Sequence, residues 1–277
     1  QAGGQSSGAI TADTLNLTGG VFSLGGNFNT ADAAIGNGAT LEVGGHNLTI
    51  NTTLTNDGLI ITSGTGANLI INPNNLGNVT FTNTASQLPA KTYNILTLQN
   101  GGTSSGEITI SDLILRGVFD IVDNSLTITD SISGTGTILT SGNGSNLNLN
   151  PANVGNFHFT NTASQLPAKT YANLILDNGG VLQGNTTTDL LNIVSGTLAV
   201  GDNTLTVNNT LTNSGLITVT SGAIVIPNAA SGNFTFTAYN NIPTATYSTL
   251  TLQAGGQSSG AITADTLNLT GGVFSLG

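Results

Sequence analysis

The opening 25 residues of this chain return, unchanged, as its closing 25 residues. The string QAGGQSSGAITADTLNLTGGVFSLG fills residues 1–25 and again residues 253–277, so the sequence has a period of 252. Repetition at a fixed period is the signature of arrays in which each repeat packs only on its neighbours. Because neither end carries a capping element, we expect the array to continue, either along one long chain or by head-to-tail stacking of copies.

A shorter repeat lies inside this period. The segment FTNTASQLPAKTY occupies residues 81–93 and recurs at residues 159–171, and the related FTFTAYNNIPTATY occupies residues 234–247. The six prolines form two columns of this alignment, which are Pro73, Pro151 and Pro227, and Pro89, Pro167 and Pro243. We therefore divide one continuous solenoid into repeats at residues 1–98, 99–176 and 177–252, with residues 253–277 starting the next period.

The lengths of the repeats predict the length of a coil. The first repeat is longer because residues 18–37 have no counterpart in the second. A solenoid accepts an insertion as one extra coil, which predicts about 20 residues per coil, about five coils in the first repeat and about four in each of the others. Apolar and polar residues alternate within a coil, as in Leu48-Thr49-Ile50, which is typical of a strand with one buried face. No helical periodicity is sustained.

These patterns predict an all-β fold, a right-handed parallel β-helix (solenoid) of about 20 residues per coil, uncapped at both ends. Asn, Asp and Gly punctuate the strands, as at Asn213-Ser214-Gly215, and these residues suit tight corners. The alternative fold is an array of three antiparallel β-sandwich domains. A 20-residue insertion is not a natural quantum for such domains, which favours the β-helix.

Charge and composition exclude several classes of partner. Lys and Arg total 3 against 13 Asp and Glu, for a net charge of -10, so nucleic acid finds few cations to bind. No apolar run approaches the roughly 18 residues of a membrane span, so we expect no membrane insertion. Cys and Met are both absent, which removes the residues that oxidants attack most readily. The composition favours a secreted or cell-surface location, with no disulfides.

The densest acidic stretch is the first candidate for catalysis. It holds Asp112, Asp120, Asp123 and Asp130, with Arg116 among them, and paired carboxylates serve as acid and base in glycoside hydrolysis. Asp123, however, is matched by Asp202 and Gly45 in the corresponding turns. We therefore interpret these residues as solvated turn residues and predict no catalytic, cofactor-binding or metal-binding residues.

Other polar residues receive the same interpretation. Lys91 and Lys169 occupy one position of the repeat, where the third repeat has Ala245, so they read as surface residues that bridge to a neighbouring coil. His46 and His158 have no second ligand at metal-binding spacing. Weak calcium binding by scattered Asp stays open. Thr-x-Thr triplets such as residues 218–220 and 235–237 would suit ice binding if they were aligned, but their spacing in the sequence is not constant.

Strings such as GATLEVGGHNLTINTTLTNDGLIITSG at residues 38–64 and GTLAVGDNTLTVNNTLTNSGLITVTSG at residues 196–222 resemble the repeat regions of large secreted bacterial β-helix proteins. The resemblance is to filamentous haemagglutinin-like adhesins and autotransporter passenger regions, and it covers essentially the whole chain. It implies a right-handed β-helix outside the cell, used as a stalk, fibre or adhesive surface. It carries over no catalytic or binding residue.

The sequence thus favours a non-catalytic structural segment of an extracellular filament, fibre or giant adhesin shaft. Its expected partners are copies of itself along the fibre axis, with surface carbohydrate or a host or neighbouring cell as further candidates. No cofactor is expected. The alternative is a carbohydrate-active β-helix, either a polysaccharide lyase or a tailspike-like hydrolase, which would need unique residues in one groove.

Overall fold

A computed structural model describes residues 3–162, 164–226, 232–258 and 260–276. Gln1, Pro227 and Gly277, which entered the sequence analysis, lie outside the described residues, as does Ala163 in the second copy of the inner repeat. The described residues form 32 β-strands and no helix. None of this part of the chain could therefore cross a membrane as a helix.

The first seventeen strands are short, and most contain between three and eight residues. They are β1 (Gly4–Gln5), β2 (Ile10–Leu17), β3 (Gly20–Ser23), β4 (Phe28–Ile35), β5 (Ala39–Gly44), β6 (Leu48–Asn56), β7 (Leu59–Thr62), β8 (Leu69–Ile71), β9 (Asn78–Phe81), β10 (Ala85–Leu88), β11 (Thr92–Leu98), β12 (Gly102–Ser104), β13 (Ile108–Leu115), β14 (Val118–Asp120), β15 (Leu126–Ser133), β16 (Thr137–Thr140) and β17 (Leu147–Leu149).

The remaining fifteen strands follow the same style. They are β18 (Asn153–Phe159), β19 (Gln165–Leu166), β20 (Thr170–Leu176), β21 (Gly179–Leu182), β22 (Thr186–Ile193), β23 (Thr197–Gly201), β24 (Thr204–Asn213), β25 (Leu216–Val219), β26 (Ala223–Val225), β27 (Asn233–Phe236), β28 (Asn240–Ile242), β29 (Thr246–Leu252), β30 (Gly255–Ser258), β31 (Thr263–Leu269) and β32 (Val273–Leu276).

Each strand pairs in parallel with the strand two places along the chain, so every turn of the chain contributes two strands to two different sheets. Paired residues lie from 16 positions apart, as Gln165 and Val181 do, to 21 apart, as Leu48 and Leu69 do. The fold is a β-solenoid of about 15 turns with roughly 18 residues per turn. The predicted all-β parallel β-helix is confirmed, with a turn somewhat shorter than 20 residues, while its right-handed winding stays a prediction.

The N-terminal compact unit comprises Gln1–Ile138 and Asn148–Pro151. Its odd-numbered strands form one sheet, N1, in the order β1-β3-β5-β7-β9-β11-β13-β15-β17. Its even-numbered strands form sheet N2, which is β2-β4-β6-β8, and then sheet N3, which is β10-β12-β14. The inserted residues 18–37 supply β3 and β4, so the insertion adds one full turn, as its length predicts.

The C-terminal compact unit comprises Leu139–Leu147 and Ala152–Gly277. Even-numbered strands form sheet C1, in the order β18-β20-β22-β24-β26, and then sheet C3, which is β28-β30-β32. Odd-numbered strands form sheet C2, in the order β19-β21-β23-β25-β27-β29-β31. Both units thus follow the same rule, with odd and even strands on separate sheets.

The sequence repeat and the turn do not have commensurate lengths. In the N-terminal unit Gly4 lies on β1 of sheet N1, whereas its counterpart Gly102 lies on β12 of sheet N3. In the C-terminal unit Leu174 lies on β20 of sheet C1, and its counterpart Leu250 on β29 of sheet C2. Equivalent segments are an odd number of strands apart, so the same sequence is used alternately on the two sides of the solenoid.

The first proline column marks the places where sheets end. Sheet N2 ends with β8, two residues before Pro73, and sheet N1 ends with β17, two residues before Pro151. Sheet C1 ends with β26, two residues before the position of Pro227. Proline has no N–H to donate to a sheet ladder, which explains why the pairing stops there once in each repeat.

The second proline column holds a buried tyrosine. The hydroxyls of Tyr93, Tyr171 and Tyr247 donate to the carbonyl oxygens four residues earlier, at Pro89, Pro167 and Pro243, over 2.8, 2.8 and 2.6 Å. All three rings are at most 1 % exposed. Each repeat therefore buries a large ring without leaving its hydroxyl unpaired, which is the condition for burying tyrosine at low cost.

The core consists of inward-facing Leu, Ile, Val and Phe from both sides of the turn. Leu48 and Ile50 are fully buried and flank the outward Thr49, and Phe234 and Phe236 flank Thr235 in the same way. This confirms the predicted alternation at these strands. Stacking the same side chains turn upon turn removes apolar surface from water along each unit.

Candidate functional site

The acidic residues that could suggest catalysis are dispersed by the fold. Asp112 lies on β13 in sheet N1 and Asp120 on β14 in sheet N3. Asp112 accepts a hydrogen bond of 2.5 Å from the Ser131 hydroxyl, and Asp120 accepts one of 2.8 Å from the backbone N–H of Val122. Asp123 and Asp130 are exposed, in the turn after β14 and on β15. Asp112 and Asp120 are thus on separate sheets, each bonded within its own surroundings rather than facing each other as a catalytic pair.

Carboxylates elsewhere on the solenoid form side-chain rungs between successive turns. Glu42 accepts from the Ser23 hydroxyl over 2.5 Å, and Asp32 accepts from the Thr53 hydroxyl over 2.6 Å. Asp189 accepts from the Asn208 amide over 2.9 Å. In each pair the partners are about one turn apart in sequence, so the acidic residues link neighbouring turns.

Asp202 shows the electrostatic consequence of such a rung. Its carboxylate accepts a hydrogen bond of 2.6 Å from the Ser221 hydroxyl and a longer one from the Ser221 backbone N–H. These two hydrogen bonds favour the charged form and lower the pKa of Asp202. The shift has a structural origin one turn away and involves no second acid.

The two repeated lysines lie on the surface of the turns. Lys91 is half-buried, and its Nζ donates to the backbone carbonyl of Asn72, in the preceding turn, over 3.2 Å. A shallow cleft of about 410 Å³ beside it is also lined by Glu107 and Thr109. Lys169 is half-buried at the equivalent position, and its backbone carbonyl accepts from Thr187. Lys91 therefore bridges two turns, which is the role that its repetition indicated.

The fold brings together one pair that linear spacing did not reveal. His158 Nε2 lies 2.8 Å from Asp177 Oδ1, on neighbouring strands of sheet C1. The residues are 19 apart, about one turn, and that spacing is the signal that would have found the pair. The pair is unique to the second repeat, since the first has Thr80 and Gln99 and the third has Thr235 and Gln253.

This pair does not extend into a catalytic triad. Ser195, one turn further along, donates its hydroxyl to the backbone carbonyl of Asp177 over 2.6 Å rather than to the imidazole. A serine nucleophile needs the imidazole as its base, with the carboxylate on the far side of the ring. The order here is histidine, aspartate, serine, which leaves the serine without a base.

The predicted absence of a metal centre receives no contrary indication from the geometry. Within the described ranges, no group of three or more His, Cys, Asp and Glu could hold a metal ion. His46 lies in the turn before β6, and its backbone carbonyl accepts a hydrogen bond from the Asn68 side chain over 2.9 Å. That contact gives His46 a place in the link between two turns.

The Thr-x-Thr triplets, in contrast, are gathered by the fold. On the outward side of sheet C2, Thr218 pairs with Thr235, which pairs with Thr251, which pairs with Asn268. The expectation that uneven sequence spacing prevents their alignment is wrong for this sheet. Turns of slightly different length still place these threonines in one column, because the corners absorb the difference.

Two further columns flank the first. Asn233, Thr249 and Thr266 pair along one side. Thr220, Thr237, Gln253 and Thr270 follow the ends of β25, β27, β29 and β31 on the other side and are all exposed. We call these three columns, from β25 to β31, the threonine face. The hydroxyls of Thr218, Thr235 and Thr249 make no hydrogen bond to any of the residues that the structure describes, so they are available to an external partner.

Comparison of the chain with protein-family models, curated proteins and solved structures finds no match.

Proposed function

We propose that this chain is a structural, non-catalytic segment of an extracellular filament, fibre or giant adhesin shaft. The β-solenoid fold, the scarcity of charge and the absence of Cys and Met support this proposal, as does the resemblance to secreted β-helix adhesins. Its partners would be further turns of the same kind, supplied along one chain or by head-to-tail stacking of copies.

One observation carries the proposal, namely that identical strands have different surroundings at the two ends of the sequence period. Leu15 on β2 is 8 % exposed beneath β4, whereas the identical Leu267 on β31 is 44 % exposed. Leu24 is 6 % exposed, and the identical Leu276 is 73 % exposed. Leu267 and Leu276 occupy core positions, and a turn like that of residues 26–44 would bury them.

The roles of the polar side chains also support a structural function. Carboxylates, hydroxyls and Lys91 link successive turns, and most of these links recur with variation along the chain. An enzyme would need a unique set of acid, base or nucleophile in one groove. The pair His158 and Asp177 is unique but lacks a third group in a catalytic arrangement.

The test is to append a copy of residues 26–56 after Gly277. We expect the added turns to cover β31 and β32, to raise the melting temperature and to reduce binding of a dye that reports exposed apolar surface. Burial of each leucine contributes about 1.5–3 kcal/mol when complete. An extension of equal length and composition but scrambled order is the control.

Two results would contradict the proposal. The first is that the matched and scrambled extensions have the same melting temperature and the same dye binding. The second is that the unmodified chain cleaves members of a polysaccharide panel, which would favour the carbohydrate-active alternative.

A further inference from the structure

The threonine face has the regularity of a two-dimensional lattice. Adjacent strands lie about 4.8 Å apart, and alternate residues along a strand lie about 6.6 Å apart. Thr235 therefore has Thr218 and Thr251 as neighbours across the strands and Thr237 as its neighbour along β27. Each of these positions presents one hydroxyl and one methyl group at a repeating location.

The lattice is rigid as well as regular. Threonine is branched at Cβ and is restricted at χ1, so its hydroxyl and methyl groups keep fixed positions relative to the strand. Beneath this face, Phe234, Phe236 and Tyr247 fill the core and are at most 1 % exposed. The support is therefore a packed sheet rather than a mobile loop.

The face is also free of charge. No Asp, Glu, Lys, Arg or His occurs from residue 203 to residue 264, although the chain carries a net charge of -10. A charged partner would have no complementary group to bind here. The outward positions in this array carry no aromatic ring, so the anchors that dominate protein interfaces are missing from it.

We propose that the threonine face binds ice. Its hydroxyls would hold water molecules at the lattice positions, while the methyl groups lie between them and exclude water from other orientations. A layer of water held in this way can join a growing crystal, which is a neutral and periodic partner made only of hydrogen-bond donors and acceptors. This activity does not depend on the proposed shaft function.

The outer face of sheet C1 in the same unit provides an internal comparison. There the central column contains His158 and Ile175, and the neighbouring column contains Asp177. The charged pair and the larger apolar side chain interrupt any hydroxyl lattice on that side. We therefore expect sheet C1 not to bind ice.

The experiment measures incorporation of the 277-residue chain into slowly growing ice, together with inhibition of ice recrystallisation. Thr235→Tyr places a bulky ring in the middle of the threonine face, and Thr251→Tyr does so on the next strand. Thr212→Tyr makes the same change at an exposed position on β24 of sheet C1 and is the matched control. Circular dichroism and melting temperature verify that each variant folds.

We expect the parent and Thr212→Tyr to enter the ice and to inhibit recrystallisation, and both tyrosine variants of the threonine face to lose these activities while they keep the parent melting temperature. Exclusion of the parent chain from ice overturns the proposal. So does undiminished ice binding by a folded Thr235→Tyr or Thr251→Tyr variant.

Discussion

At the scale of single residues, the solenoid depends on side chains that bond to the next turn. Asn56 donates to the carbonyl oxygens of Leu76 and Asn78, over 2.7 and 3.0 Å, and Asn78 donates back to the carbonyl of Gly58 over 2.8 Å. Asn213 and Asn233 repeat this exchange in the third repeat. The expected stacking of asparagines into side-chain ladders is therefore wrong for these residues, because their amides bond to backbone carbonyls of adjacent turns.

One residue departs from the rule that its repeats follow. Val122 has a φ of 55°, in the left-handed region, where the equivalent residues of the other repeats are Gly44 with a φ of 61° and Gly201 with a φ of 64°. The left-handed conformation costs an L-residue roughly 1–2 kcal/mol. The turn therefore stores strain in the second repeat that glycine avoids in the other two.

We predict that Val122→Gly stabilises the chain by up to about 1 kcal/mol, since removal of the strain exceeds the roughly 0.5–1 kcal/mol entropic cost of glycine. The measurement is the shift in the midpoint of denaturant unfolding. Gly201→Val is the matched control, because a Cβ at Gly201 meets nothing within 4 Å and the change adds strain without a clash. It should destabilise the chain, and a stabilising Gly201→Val or a destabilising Val122→Gly would refute the argument.

At the scale of elements, the two proline columns divide the labour within each repeat. The first column ends a sheet, and the second supplies the carbonyl that satisfies a buried tyrosine. Burial raises the pKa of Tyr93, Tyr171 and Tyr247 above the ordinary value, because the charged phenolate is poorly solvated in the core.

This burial predicts alkaline instability with a definite sign. Tyrosines of the unfolded chain ionise near pH 10, whereas the three buried tyrosines stay protonated in the folded chain. Their contribution to stability is complete below about pH 10 and is lost as the pH rises further, since the unfolded state then binds fewer protons. We expect the free energy of unfolding to fall steeply between about pH 10 and pH 12.

The variant Tyr171→Phe should reduce this slope, because one titrating group is removed. It should also cost about 0.5–1.5 kcal/mol at neutral pH through loss of the hydrogen bond to Pro167. Tyr239→Phe is the control for a generic effect of the substitution, since Tyr239 is 56 % exposed. A pH profile of unfolding that is flat to pH 12, or identical for Tyr171→Phe and the parent, would contradict this account.

The strands, their alternation and the solenoid class follow from the sequence because they depend on local patterns. Thr49 faces out between two buried residues wherever that strand lies, and no long-range information is needed. The neighbours across turns could not be predicted in the same way. The offset between paired residues varies from 16 to 21, so a fixed coil length misses both the contact of His158 with Asp177 and the column of Thr218, Thr235 and Thr251.

At the scale of the whole molecule, the proposed function rests on turns that can be added without end. A repeat with an odd number of strands places equivalent sequences on alternate sides, so different outward residues appear on the two sheets of a unit. The threonine face is one product of this arrangement, and the face with His158 and Asp177 is another. A shaft built in this way would carry distinct surfaces on its two sides while using one type of core.

The central claim, that the chain is a shaft segment extended by further turns, is tested most directly by electron microscopy of concatenated chains. Chains of one, two and three 252-residue periods would be compared by particle length. Counted from β1 to its copy β30, one period contains 29 strands at two per turn, so we predict an increase of about 70 Å per period at about 4.8 Å per turn. Particles that remain one period long, or that separate into compact beads without a constant increment, would contradict the claim.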